Sequence, residues 1–205
     1  MLAYSDLLLA LPSQPVQPFV GILYRAIHYS TLHGLHLVQP PTPDPLFSGG
    51  APVHGARFTP AGGMPSLYLA EDRATADREA NFPYLLLAGA NPQAVPGPPA
   101  TVLFTAQVHL TTLLDVSDSI VQTALGTNPA ELAAAWRTLQ MRGQPVPTQE
   151  LGRAVFDTGT AQAIRYPSAV PGGGHCFVVY PDRLAPTGSV EIYDPGSRFA
   201  NRRIP

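Results

Sequence analysis

The chain contains no lysine: all 12 of its Lys and Arg positions are arginine. Its cations are therefore permanently charged planar forks suited to phosphate and carboxylate, a bias that genome composition explains as readily as function does. Only 13% of the residues are charged and the formal net charge is −2, so there is no overall basic field of the kind that holds nucleic acid. The single cysteine, Cys176, excludes an internal disulfide and a cysteine-based zinc site, and fits a reducing compartment; cytoplasm is the expectation. No apolar run approaches the roughly eighteen residues of a membrane span, and the opening MLAYSDLLLALPSQP lacks the basic start of a signal peptide.

Metal binding also finds little support. His28, His33 and His36 fall close together, but they form neither a helical i, i+4 pair nor a zinc pattern, and no acidic residue lies among them. No metal is expected. Cys176 sits in the apolar run HCFVVY and reads as a small core residue. The glycine-rich 171–174 precedes a strand and lacks the lysine of a phosphate loop, so it reads as a turn.

What is present is enough apolar material for a core: 45% hydrophobic over 205 residues, read as a single domain over 1–205 with its core at about 19–182. The 24 prolines punctuate it, marking 39–45 and 91–100 as loops. Strands are expected at 19–27, 67–70, 101–110, 163–166, 175–180 and 190–193, the clearest being the β-branched and aromatic TVLFTAQVHL. Helices are expected at 71–87, with Pro83 as a break point, at 129–142, capped by Asn128 and stopped at Gly143, and at 149–156. Strands and helices mix without a regular βαβ rhythm and without an internal repeat, so the fold class is α+β.

The chemistry concentrates in RFTPAGGMPSLYLAEDRATADREANFP. Arg57, Tyr68 and Glu79 are spaced eleven residues apart, with Gly62 between the first two. A guanidinium, an aromatic face and a carboxylate in one cleft are what a site acting on a charged nucleotide needs: a partner for phosphate, a platform for a ring, and an anion beside developing positive charge. Read singly, Arg57 and Glu79 are equally an exposed cation and a solvated helix carboxylate.

Arg25 in LYRAIH, Arg57 in GARFTPAGG, Tyr68 in SLYLAED, Glu79 in ADREANFP and Ser168 in YPSAVP together resemble the signature of the RES-domain family, over most of the chain from Tyr24 to about Asp182. The resemblance implies an ADP-ribosyltransferase-like fold of mixed sheets with flanking helices. It also implies the toxin of a bacterial toxin–antitoxin system that binds NAD as substrate and cleaves its nicotinamide–ribose bond, with water or phosphate as acceptor. Some relatives transfer ADP-ribose to protein instead, and a catalytically silent binding protein is a third reading. In this scheme Glu79 stabilises the cationic sugar, Arg25 and Arg57 clamp the pyrophosphate, Tyr68 stacks on nicotinamide, Ser168 donates a hydrogen bond, and Gly62 brings the backbone close. The partner implied is a helix-turn-helix, Xre-like antitoxin that occludes the cleft. Where the family carries an Asn-Pro pair after its serine, this chain reads Val179, Tyr180, Pro181.

Overall fold

The computed structural model describes residues 1–33, 42–90, 97–199 and 202–205, with side chains between 83 and 90 described only at Tyr84. The strands are β1 (Gln17–His28), β2 (Leu67–Ala70), β3 (Thr101–Asp115), β4 (Ala163–Pro167), β5 (His175–Val179), β6 (Ser189–Ile192) and β7 (Arg203–Ile204). The helices are α1 (Tyr4–Ala10), α2 (Tyr29–Leu32), α3 (Gly50–His54), α4 (Arg73–Ala90), α5 (Ser119–Ala124), α6 (Pro129–Leu132), α7 (Trp136–Met141) and α8 (Pro147–Thr158).

Strand pairing runs in the order β1-β2-β5-β4-β3-β6-β7, and a further β1–β3 pairing closes the first five strands into a ring. The long antiparallel β1–β3 ribbon supplies most of that closure, from Gln17 opposite Leu113 to His28 opposite Thr101. The opposite seam is brief, with β1 meeting β2 at Tyr24 and Ala70. Strand alternation sorts the side chains into two cores. Leu23, Leu67, Leu69, Ala163, Phe177 and Val179 belong to one. Ala70, Ile164, Tyr166, Cys176 and Val178 point the other way, where Leu7, Leu11, Phe58, Leu151 and Val155 cover them. The second face carries the site.

The α+β expectation holds, and each expected strand is present, β2 with the expected ends and the others with shifted ones. β3 runs on to Asp115 because its last residues turn from β1 to pair in parallel with β4. Two helices depart from expectation. Helix α4 continues past Pro83, and Asp72 starts it by accepting from the Thr75 backbone N–H at 2.8 Å. The single helix expected over 129–142 is instead two, α6 and α7, separated at 133–135. Asn128 does cap the first, taking the Glu131 N–H at 3.0 Å, and Gly143 follows the second at φ 63°. The break comes from Arg57, whose Nη1 takes the carbonyls of Leu132 and Ala134 at 2.8 and 3.0 Å, so a tertiary contact overrides local propensity. Helices α1, α2, α3 and α5 and the short β7 were not expected. Of the expected loops, 39–41 and 91–96, together with His36, lie outside the described residues; 42–44 and 97–100 have no regular structure.

One charged cluster crosses the end of the ring. Arg165 reaches Glu71 at 2.8 Å through Nε and Asp115 at 2.7 Å through Nη1, while its Nη2 lies 2.9 Å from His175 Nδ1. Burial alone would raise the Asp115 carboxyl, but Ser117 and Arg165 outweigh it and hold the group below its usual range.

Helix α8 packs so closely that a side chain on Gly152 would place Cβ 1.9 Å from the Phe58 carbonyl oxygen, a backbone atom with no freedom to yield. Gly152→Ala should therefore reverse the usual helix-propensity gain and lower unfolding stability by about 1–3 kcal/mol, as overpacking does. Chemical denaturation measures this. An unchanged or raised midpoint would show that the α8–Phe58 contact is loose.

Candidate functional site

A cavity of about 610 Å³ opens on the second face of the ring. Its floor is made by outward-facing residues of four strands: Tyr24 and Ala26, Tyr68 and Ala70, Tyr166, and Cys176. One wall is α4, through Ala76, Glu79, Ala80 and Phe82; the other is the 133–138 segment leading into α7. The volume is in the range of pockets that enclose a small organic ligand.

Arg57 is brought to this cavity by a tight turn. Ala56 and Thr59 pair across it, with N–H to carbonyl distances of 2.7 and 3.2 Å. Phe58 beside it is fully buried and packs against Tyr166 in a tilted arrangement, with ring centroids 4.5 Å apart. The Tyr68 hydroxyl accepts the Phe58 N–H at 3.0 Å and lies 3.1 Å from Thr59 Oγ1. Burial raises the Tyr68 phenol above its usual range, so it stays protonated and structural. Only Nη1 of Arg57 is committed, to backbone carbonyls, and no carboxylate of the described residues lies within ion-pair distance of the guanidinium. A half-buried cation with donors to spare, at a cavity wall, is a receptor for an anion.

Glu79 faces it from α4. Its Oε1 accepts from Ser168 Oγ at 2.5 Å and from the Ala169 N–H at 3.2 Å, with the Cys176 thiol 3.8 Å away. Its Oε2 accepts from none of the described residues. The carboxylate is thus held by one oxygen and offers the other. Burial and the neighbouring Glu79 push the Cys176 thiol well above its usual range, so this cysteine is a neutral neighbour and not a nucleophile.

The loop carrying Ser168 is tied to the same helix. Gly174 N–H donates to Thr75 Oγ1 at 2.8 Å, and Arg78 Nη1 donates to the carbonyl of Gly172 at 3.1 Å. Ser168 also takes the Val170 N–H at 3.1 Å, so its hydroxyl is fixed between two partners.

Of the residues expected from sequence, Arg57, Tyr68 and Glu79 line one cavity, and Ser168 supports it through Glu79. Arg25 borders the cavity, yet its Nη2 donates to the Phe47 carbonyl at 2.8 Å, on the side of the 44–47 loop. Burial lowers this guanidinium to about 10, partly offset by Asp44, so it is charged at neutral pH; its Nη1 is buried without a partner among the described residues. Gly62 is not brought to the cavity. It turns the 60–63 loop at φ 77° and donates its N–H to the Pro52 carbonyl at 2.7 Å.

Sequence reasoning missed the 133–138 wall, including Trp136, because the helix expected there hid the break that turns it toward the site. It also missed that Cys176 lines the cavity. Strand alternation was the available signal, since Cys176 pairs with Ala70 and Tyr166 and must share their face.

The RES domain profile matches residues 22–200, and the chain belongs to that family. Seven solved chains match its fold significantly. One is in the crystal structure of the M. tuberculosis MbcT–MbcA toxin–antitoxin complex, which aligns with a TM-score of 0.66 over 94% of this chain and 92% of that one, at 19% sequence identity. At that identity the likeness establishes the fold. No curated protein sequence matches at a significant level. Among the described residues no helix is long and apolar enough to cross a membrane, and no cluster of His, Cys, Asp and Glu could hold a metal ion.

Gly173 leaves the space that Ser168 needs, since a Cβ there would lie 2.5 Å from Ser168 Oγ and 2.7 Å from its Cβ. Gly173→Ala should push Ser168 off Glu79 and destabilise by about 1–3 kcal/mol. Ser168→Ala, which removes two hydrogen bonds and creates no clash, should cost about 0.5–1.5 kcal/mol for each. A wild-type midpoint in denaturant for Gly173→Ala would mean that the loop relaxes freely.

Proposed function

We propose that this protein is the toxin of a toxin–antitoxin pair and that it cleaves the nicotinamide–ribose bond of NAD. Membership of the RES family and a fold shared with MbcT, itself in complex with an antitoxin, support the toxin assignment. The observation that carries the chemistry is Glu79: a carboxylate fixed through one oxygen by Ser168 and Ala169, with the other free, across a cavity from an arginine that no described carboxylate neutralises.

The mechanism follows from the bond. Nicotinamide in NAD is already a cationic leaving group, so the transition state concentrates positive charge on the ribose C1′ and ring oxygen. The C1′–N bond breaks with its electron pair going to nicotinamide, which departs neutral. Glu79 Oε2 stabilises the oxocarbenium ion, and the Ser168 hydrogen bond orients the carboxylate before reaction, so little reorganisation is needed. Water or phosphate then adds through oxygen to C1′; with water, the displaced proton passes to solvent, Glu79 being the nearest acceptor. Arg57 binds the pyrophosphate with the donors its carbonyl contacts leave over. Tyr68, immobilised through its hydroxyl, presents the nicotinamide platform. Arg25 braces the 44–47 loop and adds positive potential at the cavity edge. An antitoxin, in this reading of helix-turn-helix type, blocks the cavity.

Glu79→Gln should leave NAD binding within a few-fold while turnover falls by about two to three orders of magnitude, the usual cost of a lost preorganised electrostatic group. In cells, induction of the wild type alone should deplete NAD and arrest growth, and co-expression of its antitoxin should relieve both. Arrest with an unchanged NAD level would redirect the assignment to protein ADP-ribosylation, and no arrest would favour a silent binding protein.

Arg57→Lys keeps the charge but loses the fork that divides between backbone and ligand. It should raise KM for NAD at least tenfold in a folded protein, since the fork geometry is what lysine cannot reproduce. Wild-type kinetics in this variant would remove Arg57 from substrate binding.

A further inference from the structure

We propose that Trp136 is the adenine platform of the cavity, and so a specificity residue that favours the dinucleotide over its nicotinamide half. This rests on the NAD reading above. Helix α7 has no fully buried residue, so core packing does not account for its position. Polar contacts hold it instead. Gln140 Nε2 donates to the His54 carbonyl at 3.0 Å, Gln149 Nε2 donates to Gln140 Oε1 at 2.8 Å and to the Ala56 carbonyl at 2.9 Å, and Arg57 grips the carbonyls just before the helix. These contacts pin a helix that contributes little to the core, and their effect is to set Trp136 in the cavity wall.

The indole is partly exposed there. The Arg137 guanidinium lies over the ring, its Cζ 4.6 Å from the centroid, which fixes the ring plane by a cation–π contact and occupies one face. The remaining face is a rigid apolar surface at the edge of a polar site, the kind of surface on which a nucleobase stacks.

The order of groups across the cavity decides which base. NAD carries a ring at each end of a pyrophosphate. Glu79 and Tyr68 define the nicotinamide end against α4. Arg57 lies between that end and α7, since its Nη1 bonds to Ala134, two residues before Trp136. A pyrophosphate on Arg57 with nicotinamide at Tyr68 directs the adenosine toward α7. The other cavity aromatics are placed elsewhere: Tyr166 is buried against Phe58, while Phe82 on α4 and Tyr24 beneath Arg73 of α4 belong to the wall opposite α7.

Trp136 is the sole tryptophan of the chain, so its emission reports on this position alone. Titrate the Glu79→Gln protein with AMP, ADP and nicotinamide mononucleotide. AMP and ADP should quench the emission saturably and be displaced by NAD, whereas nicotinamide mononucleotide should bind without quenching. In the otherwise native enzyme, Trp136→Ala should raise KM for NAD about tenfold with kcat retained, as expected for loss of one base stack, and Trp136→Phe should recover most of it. Absence of quenching by AMP at millimolar concentration, or an equal loss of affinity for AMP and nicotinamide mononucleotide in Trp136→Ala, would overturn the assignment. The titration decides the matter even if the alanine variant fails to fold. NAD turnover without AMP quenching would sink the adenine platform alone; AMP quenching without NAD turnover would sink the cleavage reading and leave the adenine platform standing.

Discussion

The burial of Phe58 is the constraint on which the cleft depends. Its ring fills the space between Tyr166 and α8, its N–H is taken by Tyr68, and its carbonyl lies against Gly152 so tightly that no side chain fits there. A residue sealed on three sides cannot rotate, so the neighbouring Arg57 leaves the backbone in one direction only. The hydrophobic effect thereby positions a cation that electrostatics alone would leave mobile on a long side chain.

From that point the site divides its charges by placement. Arg57 gives one nitrogen to the carbonyls of Leu132 and Ala134, and those bonds break what would have been a continuous helix. Glu79 gives one oxygen to Ser168 and Ala169. Each group is anchored by half and available by half, across a cavity, and neither neutralises the other. Such an arrangement leaves both signs of electrostatic potential open within one cavity. The Arg165 cluster at the ring's end shows the contrast: there Glu71 and Asp115 both pair with the guanidinium and neutralise its charge.

The strands were legible in the sequence because β-branched and aromatic runs such as TVLFTAQVHL have little alternative, and Asn128 was legible as a cap because the chemistry of capping is local. Arg57, Tyr68 and Glu79 were legible as a group through their motif, and the structure does line one cavity with them. What was not legible depends on contacts between distant segments. The break at 133–135 is made by an arginine some seventy-five residues earlier in the chain, so no local propensity could reveal it, and with it went Trp136. Gly62 looked like a ligand-facing glycine in sequence, but its positive φ serves only a turn bonded to Pro52. Arg25 sits in the motif, yet its guanidinium reaches the 44–47 loop, whose approach to β1 no local pattern could place.

The hydrogen bonds from α4 to the 168–174 loop have a mechanical consequence. Thr75, Arg78 and Glu79 lie along one helix, and each holds a different point of that loop: Gly174, Gly172 and Ser168. Helix and loop therefore travel as a single jaw, while Arg57, 133–135 and α7 make up the other. Moving one side against the other would not stretch the bonds that orient the carboxylate, because those bonds are all internal to one side. The cleft is built like a vice with one jaw cast in a single piece: opening it would change the gap and leave the face of that jaw unaltered.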